Sequence, residues 1–167
     1  VQIDKYQRQR DQPFGAGTDA DPLRGRGDDR GGRAGRGAGV GTGAVSVSEP
    51  MPGVVVFHET GSWQATDPSK APLSFRNVFR WSAAADALRL EHLRFGPDRP
   101  VLLFDMAPDT DGVWREIQAH QCVDDRYSAS LRLAPDALVV AWSIVGPRKQ
   151  ASIRYTYTCA GQTLLRV

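Results

Sequence analysis

At 167 residues the chain has room for one domain whose core buries about two-thirds of the surface that an unfolded chain exposes. A formal net charge of +2 is small for that length and excludes a protein-wide bias toward nucleic acid, anionic lipid or acidic substrates, leaving only local basic patches. The 2 cysteines, Cys122 and Cys159, stand far apart without C-x-x-C spacing and read as buried thiols of a reducing compartment, while no apolar run approaches the ~20 residues of a membrane-spanning helix.

In chain order, Val1 to Arg10 (VQIDKYQRQR) sets Val1, Ile3 and Lys5 in alternation, which suggests a first strand. Val1 is not an initiator residue, so processing or an incomplete record is expected to have removed what precedes it. From Leu23 to Gly43 the text LRGRGDDRGGRAGRGAGVGTG is rich in Gly and Arg and nearly free of apolar side chains, so alone it cannot offset the entropy of ordering itself. The expected organisation is residues 1–22 as a first strand and its extension, 23–43 as a low-complexity insertion, and 44–167 as an antiparallel β-domain.

Beyond Pro50, breakers recur roughly every 8 to 12 residues, the spacing of an antiparallel sandwich or barrel. Val54 to Glu59 is a β-branched run. Asp67-Pro68 and Ala71-Pro72 interrupt the chain, and then Phe75, Asn77, Phe79 and Trp81 alternate with Arg76, Arg80 and Ser82, a period of two with aromatics on one side. Gly96 to Pro100, Pro108 to Gly112, Ala134 to Ala137 and Gly146-Pro147 supply further connections. The last hairpin pairs Leu138 to Val145 with Ala151 to Thr158, with Ile153, Tyr155 and Tyr157 on one face. Ser82 to Phe95 (SAAADALRLEHLRF) consists of good helix formers, yet a meander of sequential strands favours a turn near Ala83 to Asp86 followed by a strand from Leu88 to Phe95.

Several blocks of the sequence run in one order: Glu59-Thr60-Gly61, Phe75 to Trp81 (FRNVFRW), Leu90 to Pro97 (LEHLRFGP), Leu103-Phe104-Asp105, His120-x-Cys122-x-x-Asp125-x-Tyr127, and Trp142 followed by Gly146-Pro147-Arg148-Lys149. In this series the chain resembles a domain-of-unknown-function family of bacteria and fungi, numbered six-three-one-four. The resemblance covers most of Val54 to Tyr157 and implies an up-and-down barrel of the calycin or lipocalin type, with no activity to carry over. The chain departs from the family pattern where a first strand with a tryptophan is expected, and where the Gly/Arg segment replaces a short connection.

Among candidate sites, His120, Cys122, Asp125 and Tyr127 combine imidazole, thiol and carboxylate, the groups of metal ligation and proton transfer. On one continuous strand His120 and Cys122 have one parity and Asp125 and Tyr127 the other, so the four converge only if Val123 to Asp125 forms a turn or bulge. The spacing matches no metal motif, and no metal or other cofactor is expected. The dull reading has Asp125 capping a turn, Cys122 in the core and Tyr127 reaching a polar partner at the barrel rim. Arg148 and Lys149 in the Gly-Pro turn, and Arg76 on a strand, suit contact with an anion or partner, although such charges more often only face water. Trp63, Phe79, Trp81, Trp142 and Tyr155 are either cavity lining or plain core, because a small barrel can hold one small molecule or fill itself with side chains. Nucleophile elbow, P-loop, zincin and dinucleotide motifs are all missing, which leans the reading away from an enzyme.

Two functional expectations follow. One is a non-catalytic accessory subunit held in a larger protein assembly, with the Gly/Arg segment ordered against a protein partner; RNA is the alternative partner of that segment. The other is a lipocalin-like binder of a small apolar ligand, or a small-ligand enzyme. The reading is of a soluble intracellular protein, with an organelle such as the mitochondrion or plastid open on arginine content, although the N-terminal aspartates do not suit a transit peptide.

Overall fold

A computed structural model describes residues 38–147 and 150–159, together with the backbone of residues 2–10; of Cys122 it describes the backbone alone. Every regular element among the described residues is a strand: β1 Gln2–Arg10, β2 Gly39–Met51, β3 Val54–Ala65, β4 Leu73–Ala84, β5 Ala87–His92, β6 Val101–Pro108, β7 Trp114–Glu116, β8 His120–Cys122, β9 Asp125–Leu133, β10 Ala137–Val145 and β11 Gln150–Thr158. They form one 11-stranded sheet in which all neighbours are antiparallel.

The sheet curls strongly into a barrel-like fold. β1 lies between β11 and β2, and β10 pairs with β9 as well as β11, so the pairings return to their starting strand. This meander is the expected up-and-down, all-β architecture. The seam between β6 and β9 is narrow. It consists of β7, which pairs with β6 through Met106, Ala107 and Pro108 and with β9 through Leu131 and Ser130.

Strand parity decides what lies inside. Val55, Phe57, Glu59 and Trp63 share one face of β3, and Phe79 and Trp81 share the matching face of β4. Leu90, Phe104, Met106, Tyr127, Leu131, Val140, Ile144 and Tyr155 complete a single apolar cluster with Phe79 and Trp81, against which Phe57 and Trp142 pack. A bulge in β6 enlarges this cluster. Leu90 pairs with Phe104 while Glu91 pairs with Leu102, so the ladder skips Leu103, and both Leu103 and Phe104 are buried in the cluster.

β2 and β3 approach each other closely at a pair of glycines. Gly43 is registered opposite Gly61, and a Cβ on Gly43 would strike the Thr60 carbonyl and come within 2.9 Å of the Gly61 Cα. Only two facing glycines permit that backbone approach.

Two expectations need correction. β2 begins at Gly39, so the last residues of the Gly/Arg stretch, Gly39 to Gly43, belong to the sheet: their poor burial potential is offset by ladder bonds to both β1 and β3. The rest of that stretch lies outside the described residues. Ser82 to Phe95 does form a hairpin, turning at Ala85 and Asp86, but its second strand stops at His92 because the chain folds back, with the Gly96 amide donating to the Leu93 carbonyl at 3.0 Å.

Candidate functional site

The inward alternation of β3 places a carboxylate where an apolar side chain is expected. Glu59 is 0% exposed. Tyr157 of β11 donates its phenol proton to Glu59 Oε1 at 2.6 Å, and Asn77, registered opposite Glu59 on β4, donates from Nδ2 to Oε2 at 2.9 Å. A buried carboxyl group is costly unless it is hydrogen-bonded, and these two bonds are what make it tolerable here. Burial raises the pKa of Tyr157 well above the ordinary phenol value, and the Glu59 charge raises it further; Tyr155 is raised by the same two causes in the same order. Both phenols therefore keep their protons across the physiological range.

Around this polar centre the aromatic rings make a circuit. Trp81 touches Phe57 (centroids 6.4 Å), Phe57 meets Tyr157 edge-on (5.3 Å), and Tyr157 stacks on Tyr155 (6.1 Å). Tyr155 contacts Trp142 (5.9 Å), Trp142 contacts Phe79 (6.2 Å), and Phe79 stands two residues from Trp81 on the same face of β4. Half-buried His92 lies against Phe79 at 4.9 Å; desolvation, aided by Arg94, lowers its pKa and favours the neutral imidazole. Within the circuit the Nε1 atoms of Trp81 and Trp142 are both buried, and neither N–H has a hydrogen-bond acceptor. Native interiors leave few donors in that state.

Of the residues singled out from sequence, Phe79, Trp81, Trp142 and Tyr155 come together in this interior. Trp63 is buried apart from them, over Gly39, where a Cβ would approach its ring to 2.5 Å. The second constellation converges through a turn. Val123, with φ 53°, and Asp124 reverse the chain so that His120 pairs with Tyr127 and Cys122 with Asp125, and the continuous-strand parity that separated them does not hold. The His120 ring meets buried Tyr127 at 5.9 Å. Asp125 packs directly on Gly146 of the Gly-Pro turn, leaving no room there for a Cβ. Arg148 and Lys149 lie outside the described residues. Among the described residues no group of three metal-ligating side chains forms.

Arg76 is exposed on the outer face of β4. Arg80, at the same strand parity, holds Glu91 at 2.7 Å, and both line a groove of about 1010 Å³ together with residues such as Met51, Val54, Val56, Val78 and Pro97. None of the interior aromatics lines it. Sequence reasoning missed Glu59 and Asn77 as site residues; the signal was present, a carboxylate and an amide at inward parity on neighbouring strands.

An antiparallel barrel whose interior holds a buried carboxylate, two protonated phenols and two unanswered indole donors belongs to the all-β barrels with a chemically differentiated inside. A family model described as a family of unknown function, DUF6314, matches residues 27–159, and the chain belongs to that family. No curated protein matches the chain. Among the described residues no helix is long and apolar enough to cross a membrane.

Proposed function

We propose that this protein binds a small molecule inside its barrel, in the manner of a calycin-type carrier. The observation that supports this most is the pair of buried indole N–H groups on Trp81 and Trp142 without acceptors. An unanswered buried donor costs about 1–3 kcal/mol, and a bound molecule that accepts a hydrogen bond removes that cost. The surrounding rings, Phe57, Phe79, Tyr155 and Tyr157, give those donors an aromatic neighbourhood with few polar groups, the chemistry in which small apolar molecules are usually held.

Native mass spectrometry of protein purified gently from its own source tests the reading. A low-mass adduct that is lost on denaturation, and lost when Trp81 and Trp142 are both replaced by Phe, is the expected result. Adduct-free protein whose two indole protons show contacts to long-lived internal water assigns the donors to water and overturns it. The second reading, an accessory subunit held in an assembly by the Gly/Arg segment, draws on residues 23–43, of which 23–37 lie outside the described residues.

A further inference from the structure

We infer that the molecule bound in the barrel is uncharged and planar and carries a carbonyl-type hydrogen-bond acceptor. This inference rests on the reading of the interior as the binding site and adds the chemical class of the ligand.

Three features select that class. The unanswered groups are both donors, Trp81 Nε1 and Trp142 Nε1, so the ligand must bring an acceptor; an ammonium or other cation has no lone pair to offer them. Fully buried Glu59 sits at the same circuit of rings, bonded to the neutral side chains of Tyr157 and Asn77, and moving an anion from water into such a surrounding without a cationic partner is costly. The half-buried imidazole against the circuit, His92, is held toward its neutral form by burial and therefore supplies no counter-charge to such an anion. The Glu59 oxygens already accept hydrogen bonds from Tyr157 and Asn77, which leaves the carboxyl group engaged within the protein and not free for a ligand. Rings on Phe57, Phe79, Trp81, Trp142 and Tyr155 favour a flat partner that can lie face-on or edge-on to them.

The test uses the full chain and three isosteric probes: methyl naphthyl ketone, isopropenylnaphthalene and naphthoate, with the one-ring series acetophenone, α-methylstyrene and benzoate run alongside to cover a smaller site. Affinity is read from tryptophan fluorescence, and the indole N–H resonances of all four tryptophans are followed by NMR. In at least one series the ketone is expected to bind about tenfold more tightly than either the hydrocarbon or the carboxylate. It should move the Trp81 and Trp142 indole protons and leave those of Trp63 and Trp114 in place. Replacing both Trp81 and Trp142 by Phe should cut the preference for ketone over hydrocarbon to about threefold or less. A carboxylate that matches or beats its ketone overturns the inference. Equal binding of ketone and hydrocarbon with unmoved indole protons also overturns it, while shifts of the interior ring resonances would leave the binding reading standing. Failure of every probe in both series overturns both.

Discussion

Tyr157 and Glu59 are joined by a 2.6 Å hydrogen bond across 98 positions of sequence, and the bond ties the last strand of the barrel to the third at a fully buried carboxylate. Removing the phenol oxygen takes a hydrogen-bond donor from a carboxyl group that cannot reach water. Tyr157→Phe should therefore destabilise the fold by about 1–3 kcal/mol, the range for leaving a buried polar group without its hydrogen-bond partner. Urea unfolding would check this, and an unchanged midpoint would show that Glu59 needs no phenol.

The glycines of the barrel differ in what surrounds them. A Cβ at Gly43 would meet the backbone of Thr60 and Gly61, which cannot move without breaking the β2–β3 ladder, whereas one at Gly146 would meet chiefly the Asp125 carboxylate. Gly43→Ala should cost about 1–3 kcal/mol, as overpacking of a close backbone contact does, and Gly146→Ala should cost less because Asp125 can swing aside. Equal losses in denaturant melts of the two variants would refute the distinction.

His92 makes stability depend on pH. Burial, with help from Arg94, lowers its pKa below the ordinary imidazole value of 6.5, so the folded protein binds its proton less readily than the unfolded chain does. The associated stability is complete above 6.5 and is lost as pH falls through the lower folded-state value. Between about pH 8 and about pH 5 the wild-type urea midpoint should fall further than that of His92→Phe, which keeps a ring against Phe79 but cannot be protonated. Parallel decline of the two proteins would show that other groups carry the pH dependence.

Val123 sits at the tip of the β8–β9 turn with φ 53° and is 72% exposed. A β-branched residue in the left-handed region stores about 1–2 kcal/mol of strain and here has little packing to lose. Val123→Gly should raise stability by up to about 1 kcal/mol once the entropy cost of glycine is counted. A drop in melting temperature would contradict the strain reading.

Much of the fold was legible because alternation and punctuation agreed. The aromatic face of Phe75 to Trp81, the Ala134 to Ala137 turn and the final hairpin all followed from period-two spacing and from Pro or Asp at turn positions. Less was visible where long-range pairing overrode local preference. Ser82 to Phe95 has helical composition, and only its ladders to β3 and β6 make it a hairpin. Gly39 to Gly43 looked unable to order because glycine has no side chain to bury, yet that lack of side chains is what lets β2 approach β3. For the site, the tryptophans and tyrosines were readable as interior, but Glu59 emerged only when its parity was combined with the position of Tyr157, a residue of the opposite end of the chain. The unanswered indole donors belong to three-dimensional packing and have no signature in sequence.

Intermolecular nuclear Overhauser contacts from bound methyl naphthyl ketone test the central claim most directly, since they locate the molecule. Contacts to the rings of Phe57, Phe79, Trp142 and Tyr155 are the result expected of an interior site. Contacts confined to Met51, Val54 and Pro97 would move binding to the outer groove and contradict it.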